Sequence, residues 1–109
     1  MALAIAKYQV RLVALNSAHG AEMQKSRPAL VISPDEINRH LSTIIIAPMT
    51  TTRRAWPFRV DLEFDGKRGQ IALDQLRSID KSRCQKYLGD VPKGLRMTIT
   101  ERLRALFDY

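Results

Sequence analysis

The chain has 109 residues, 45% of them hydrophobic and 27% charged, a composition that fits one folded domain over residues 1–109 and excludes a disordered polypeptide. Eighteen Lys and Arg against eleven Asp and Glu leave a formal net charge of +7, which points to a nucleic acid or an acidic protein as partner. The one cysteine, Cys84, excludes an internal disulfide and has no Cys or His neighbour at metal-ligand spacing, so neither a stapled scaffold nor a zinc site is expected.

Residues 1–6 are apolar, but Lys7 interrupts them, no basic stretch precedes them, and they are too few to span a bilayer. Cytoplasmic residence without a membrane is the expectation. Residues 9–15, with Val10, Leu12, Val13 and Leu15 around Arg11, read as a first strand, and residues 16–20 as a loop. The continuous apolar run at 28–33 suits a buried second strand that begins just after Arg27, with Pro28 at its first position. Ser33, Pro34 and Glu36 then supply an N-cap, a proline at the first helical position and a capping-box acid, which predicts a short helix to about His40.

Residues 43–47 form another buried strand, stopped by Pro48, so that Thr50 lies just beyond its end in a polar loop. Apolar and charged residues alternate over 58–64, Asp65-Gly66 marks a hairpin turn, and residues 70–79 read as one long, bent strand. From about Pro92, Leu95, Ile99, Leu103, Leu106 and Phe107 recur at helical spacing and predict an amphipathic C-terminal helix packed on the sheet. The sum is a mainly β fold with short helices: a small, strongly bent antiparallel sheet or partly open barrel of SH3-like topology.

No P-loop, dinucleotide fingerprint, nucleophile elbow or metal-ligand motif is present in the chain. His19 and His40 have the titration range of a ribonuclease acid and base, but loop and helix-end histidines are mostly solvated. Trp56, between Ala55 and Pro57-Phe58, reads either as a base-stacking ring or as packing against a core edge, and packing is the expected role. The basic residues cluster beside turns and strand ends, which favours display on loops around a sheet.

Three stretches carry a more specific signal: Lys25-Ser-Arg-Pro-Ala-Leu-Val-Ile-Ser33, Ile44-Ile-Ile-Ala-Pro-Met-Thr50, and residues 73–83, opening Leu73-Asp-Gln-Leu-Arg-Ser-Ile-Asp80. With the Ser33-Pro-Asp helix start and Trp56-Pro-Phe58 they make five ordered pieces, and together they resemble the MazF/PemK toxin family almost end to end. The resemblance implies an SH3-like homodimer that cuts single-stranded RNA without metal or other cofactor, using the substrate's own 2′-hydroxyl as nucleophile. It also implies restraint by an acidic antitoxin.

On that basis Arg27 and Thr50 are the expected principal catalytic pair. A planar guanidinium and a hydroxyl together offer donors to the extra negative charge of a phosphorane. Arginine is a poor base at neutral pH, so charge stabilisation is its first expected task. Glu22 is the candidate base, and the alternative reading is a solvated loop carboxylate. Gly20, Lys25, Arg53, Gln75 and Arg77 complete the expected RNA-binding set, although Gln75 and Arg77 read equally as strand-face supports. The family's Asp-Pro-x-x-Gly after the first strand is replaced by Asn16-Ser-Ala-His-Gly20, which bears on the cut sequence and on efficiency. Two further readings are a CcdB-like gyrase-binding toxin, whose Trp-Gly-Ile end is absent from Leu106-Phe-Asp-Tyr109, and a weakened RNA-binding autoregulatory module.

Overall fold

The computed structural model describes residues 3–15 and 26–108. Strand formation follows from the apolar runs. In β2 (Ser26–Val31) and β3 (Thr43–Thr50) both faces of the unbroken hydrophobic stretches are buried, as such runs require. Ala29, Val31, Ile44 and Ile46 join Val13 of β1 (Gln9–Ala14) and Ile79 in one core. Leu30 and Ala47, on alternate positions, face a second core with Val10, Ile71, Leu73 and Ile99.

The sheet is antiparallel, in the order β4 (Arg59–Phe64), β5 (Lys67–Ala72), β3, β2, β1, β7 (Cys84–Asp90), with β6 (Arg77–Asp80) also paired to β3. β3 is the element that bends it. Residues 43–46 pair with β6, whereas Met49 and Thr50 pair with Ile71 and Gln70 of β5. This change of partner curls the sheet into a half-barrel, closed on one side by α2 (Arg96–Phe107), whose Ile99 is fully buried. The bent, mainly β architecture agrees with the sequence reading. The Asp65-Gly66 turn does too: both residues have positive φ, as a two-residue type I′ hairpin demands.

Several local expectations are corrected. Strand two begins at Ser26, so Arg27 lies inside it opposite Val13; Pro28 is accommodated because the β3 pairing of β2 reaches only as far as Ala29. Strand three runs through Pro48, which sits between the segment bound by β6 and the segment bound by β5, so no ladder on that edge needs its missing N–H. The long strand over 70–79 is two strands separated by a 3₁₀ turn, Leu73–Gln75, where the chain crosses from one part of β3 to the other. β7 was not foreseen; its mixed, largely polar burial pattern lacks strict alternation, and it exists by pairing with β1.

The short helix is α1 (Asp35–His40), with Pro34 as cap and no side-chain cap bond. Ser33 instead turns inward, donating to Asn38 Oδ1 at 2.5 Å and accepting from Ile45 N–H at 3.0 Å, so it ties α1 to β3. In α2 the packed stripe is Ile99 and Leu103, while Phe107, its last residue, is 73% exposed. No helix among the described residues is long and apolar enough to cross a membrane.

Candidate active site

The change of partner along β3 opens a cleft. The last registered β2–β3 pair is Ala29 with Pro48. Continued by two residues, that register sets Arg27 opposite Thr50, on the same faces as Ala29 and Pro48. β3 has by then turned toward β5, and the gap between the diverging strands becomes a cleft of about 720 Å³ whose walls include Arg27, Thr50, Gln75 and Arg77. Four residues expected from sequence therefore meet in one hollow although they span 51 positions of chain.

Each wall has a reason to stand where it does. Thr50 is half-buried, and its Oγ1 accepts the Thr52 N–H at 3.1 Å, which leaves the hydroxyl hydrogen free to donate. Its carbonyl is approached closely by β5: a Cβ at Gly69 would lie 2.6 Å from Thr50 O, so only glycine permits this spacing. Gln75 ends the 3₁₀ turn and Arg77 opens β6 opposite Ile46, so that turn carries both along the edge that β5 has vacated. Both are exposed, as is Arg27.

Three lining residues were missed in the sequence, Arg54, Arg59 and Asp74, and Trp56, weighed there as a stacking ring but expected to pack, lines the cleft as well. Arg59 is buried and meets Asp74 through two bonds, Nε to Oδ1 at 2.6 Å and Nη2 to Oδ2 at 3.3 Å. The hydrogen bond from Arg59 is the main influence that holds the Asp74 carboxyl below the usual carboxylate range. Asp74 is thus committed to Arg59, and Arg27, Arg54 and Arg77 have no ion pair among the described residues. The cleft is a cationic hollow. Nothing local signalled the Arg59–Asp74 pair, because its members stand fifteen positions apart with a hairpin between them.

Thr52, Arg54 and Trp56 form the outer wall, whose segment is pinned by the buried Gln70: its amide accepts the Arg54 N–H and donates to the Arg54 carbonyl, each at 2.9 Å. Trp56 departs from the expected core packing. It is 49% exposed, belongs to neither core, and has the Arg59 guanidinium 4.8 Å from its ring centroid.

Arg53 does not line the cleft; its guanidinium lies 3.8 Å from Asp61 across an exposed edge. His40 is exposed at the end of α1. Gly20, Glu22, Lys25 and His19 lie outside the described residues, as does the loop in which the sequence departs from the family pattern. A second, smaller hollow of about 440 Å³ shares Met49 and Thr50 with the first; Leu62, Phe64 and Leu88 line it together with Lys67, Arg68 and Lys86.

Comparison with known proteins supplies the chemical setting. Residues 6–107 match the family described as PemK-like, MazF-like toxin of type II toxin-antitoxin system. Endoribonuclease PemK of Escherichia coli is 33% identical over 104 residues, covering 90% of this chain and 78% of that protein. A solved MazE-MazF structure from Deinococcus radiodurans superposes with a TM-score of 0.81 at 26% identity, covering 95% of this chain and 96% of that one. An endoribonuclease in complex with its cognate antitoxin, from a mycobacterial species, superposes with a TM-score of 0.80 at 25% identity, covering 97% and 99%.

Proposed function

From the premise that this chain belongs to the PemK-like, MazF-like toxin family and is an endoribonuclease toxin of a toxin–antitoxin system, we propose that it cuts single-stranded RNA in the cleft between Arg27 and Thr50, without a metal. The single observation that supports the reading is the cleft that Arg27 and Thr50 line together, with a guanidinium that has no ion pair among the described residues and a hydroxyl whose oxygen accepts the Thr52 N–H.

The chemistry follows from the donors. The 2′-oxygen of the substrate attacks the adjacent phosphorus, the bond to the 5′-oxygen breaks, and a 2′,3′-cyclic phosphate and a 5′-hydroxyl remain. The phosphorane on that path gains negative charge, which Arg27 meets with two aligned donors, Thr50 with a third, and Arg77 as a further cation at the rim. These cations supply the charge stabilisation that other nucleases draw from a metal. Arg27 acts first by charge stabilisation and second as proton donor to the leaving 5′-oxygen. Asp74 is engaged by Arg59 and is not free to take the 2′-hydroxyl proton; Glu22 is the carboxylate assigned that task. DNA has no 2′-hydroxyl and cannot follow this route.

The working form is a cytoplasmic homodimer with an acidic antitoxin as its inhibitor. The two hollows meet at Thr50. The second offers apolar residues with lysine and arginine around them, a fit for an acidic chain with apolar anchors that would cover Thr50 as it passed. A gyrase-binding role is set aside, because the family and the relatives found are endoribonucleases.

The test is incubation of the purified protein with single-stranded RNA in excess EDTA. Cleavage leaving a cyclic phosphate is expected; strict dependence on magnesium, or equal cutting of DNA, would overturn the mechanism.

A further inference from the structure

Trp56 has no part in the chemistry above, yet it is the one tryptophan of the chain and stands half open to solvent on the wall of the cleft. Phe58, two residues on, packs against the core, so the strand entrance does offer an apolar berth that Trp56 does not take. Its backbone is held instead in an outward position. Trp56 O accepts the Arg59 N–H at 3.1 Å, Arg102 reaches from α2 to the Pro57 carbonyl at 2.6 Å, and Gln70 clamps Arg54 on the other side.

The two cations beside the ring are unequal. Arg59, 4.8 Å from the centroid, is buried and fixed by Asp74, so it braces the indole from the protein side. Arg54, 5.9 Å away, is exposed and donates to the Arg53 carbonyl at 3.3 Å, a bond it can exchange for a phosphate at small cost. A half-exposed indole with a buried, paired guanidinium 4.8 Å from its centroid and a second, exposed and displaceable one at 5.9 Å offers what stacking an unpaired base and holding the adjoining backbone require.

We propose that Trp56 is a stacking platform for one unpaired nucleobase of the strand that occupies the cleft, with Arg59 and Asp74 as positioning residues beneath it and Arg54 directed to that strand's phosphates. This rests on the cleft being the RNA site. Stacking on indole tolerates any base, so the platform adds affinity and register rather than a base code; the cut sequence is read elsewhere.

Because Trp56 is the sole indole, its fluorescence reports the event directly. The experiment titrates the intact protein with an end-labelled oligonucleotide carrying 2′-O-methyl groups throughout, following label anisotropy for binding and tryptophan emission for stacking. Quenching should saturate together with anisotropy. Abasic nucleotides placed one position at a time should reveal a single position whose loss removes the quenching and weakens binding by about tenfold. Trp56→Ala should weaken the intact oligonucleotide to the same degree and become indifferent to that position. Trp56→Phe should recover part of the affinity, with unchanged melts showing that both variants are folded. Saturated anisotropy with unaltered emission, or a Trp56→Ala protein with wild-type affinity, overturns the platform while leaving the RNA cleft in place. An oligonucleotide that does not bind at all overturns the cleft assignment and the platform with it.

Discussion

The two halves of β3 differ in what surrounds them. From Thr43 to Ile46 the strand pairs with β6 on one edge, and Ile44 and Ile46 are fully buried. From Pro48 to Thr50 it leaves β6, takes up β5, and ends half-buried at the mouth of a cationic cleft. One half is a buried, rigid support; the other places the Thr50 hydroxyl where the sheet divides. The site therefore costs the fold little, because its polar groups stand where the ladders have already parted.

If that division is correct, equal truncations on the two halves should fail in different ways. Ile46→Ala should lower stability by about 2–5 kcal/mol, read from chemical denaturation, while the protein that remains folded cuts RNA at a rate close to wild type. Across the cleft, Arg27→Ala should lose at least about a hundredfold in cleavage rate with a thermal melt near wild type. A folded Ile46→Ala protein without activity, or an Arg27→Ala protein that unfolds, would break the comparison.

Gly69→Ala sharpens it, because it acts where the two halves are joined. A backbone oxygen cannot swing aside as a side chain can, so β5 and β3 must separate to admit the methyl group 2.6 Å from Thr50 O. We expect about 1–3 kcal/mol of lost stability and roughly a tenfold fall in cleavage, smaller than that of Arg27→Ala because Thr50 is displaced rather than removed. Wild-type activity in a stable Gly69→Ala protein would show that the position of Thr50 is not critical.

The smallest effect concerns pH. The Asp74 carboxyl is held low chiefly by the hydrogen bond from Arg59, so its contribution to stability is complete above the unfolded value of about 3.9 and is lost as pH falls through the folded one. The difference in Tm between wild type and Asp74→Asn should therefore be constant above about pH 5 and shrink below about pH 4. A difference that stays the same across that range would remove the Arg59–Asp74 pair from the account of the outer wall.

Some of the site was legible before any fold was known. Arg27 and Thr50 were identified from the resemblance carried by their surrounding motifs, and Gln75 and Arg77 from Leu73-Asp-Gln-Leu-Arg77. What no window of sequence held was the pairing of β7 with β1, the break of residues 70–79 into β5, a 3₁₀ turn and β6, or the outward set of Trp56. Arg53 and Arg54 illustrate the limit: adjacent and chemically identical, one bends to Asp61 while the other lines the cleft.

By itself, the sequence determined the buried strands around residues 28–33 and 43–47, the hairpin at Asp65-Gly66 and the helical stripe through Ile99, because apolar runs and burial of every third and fourth residue are written in windows shorter than twenty residues. Only the tertiary structure decided that β3 exchanges β6 for β5 between Ile46 and Met49. From that one exchange follow the crossing that delivers Gln75 and Arg77 and the cleft they line with Arg27 and Thr50, since where a strand changes partners depends on the register of segments brought together from across the chain.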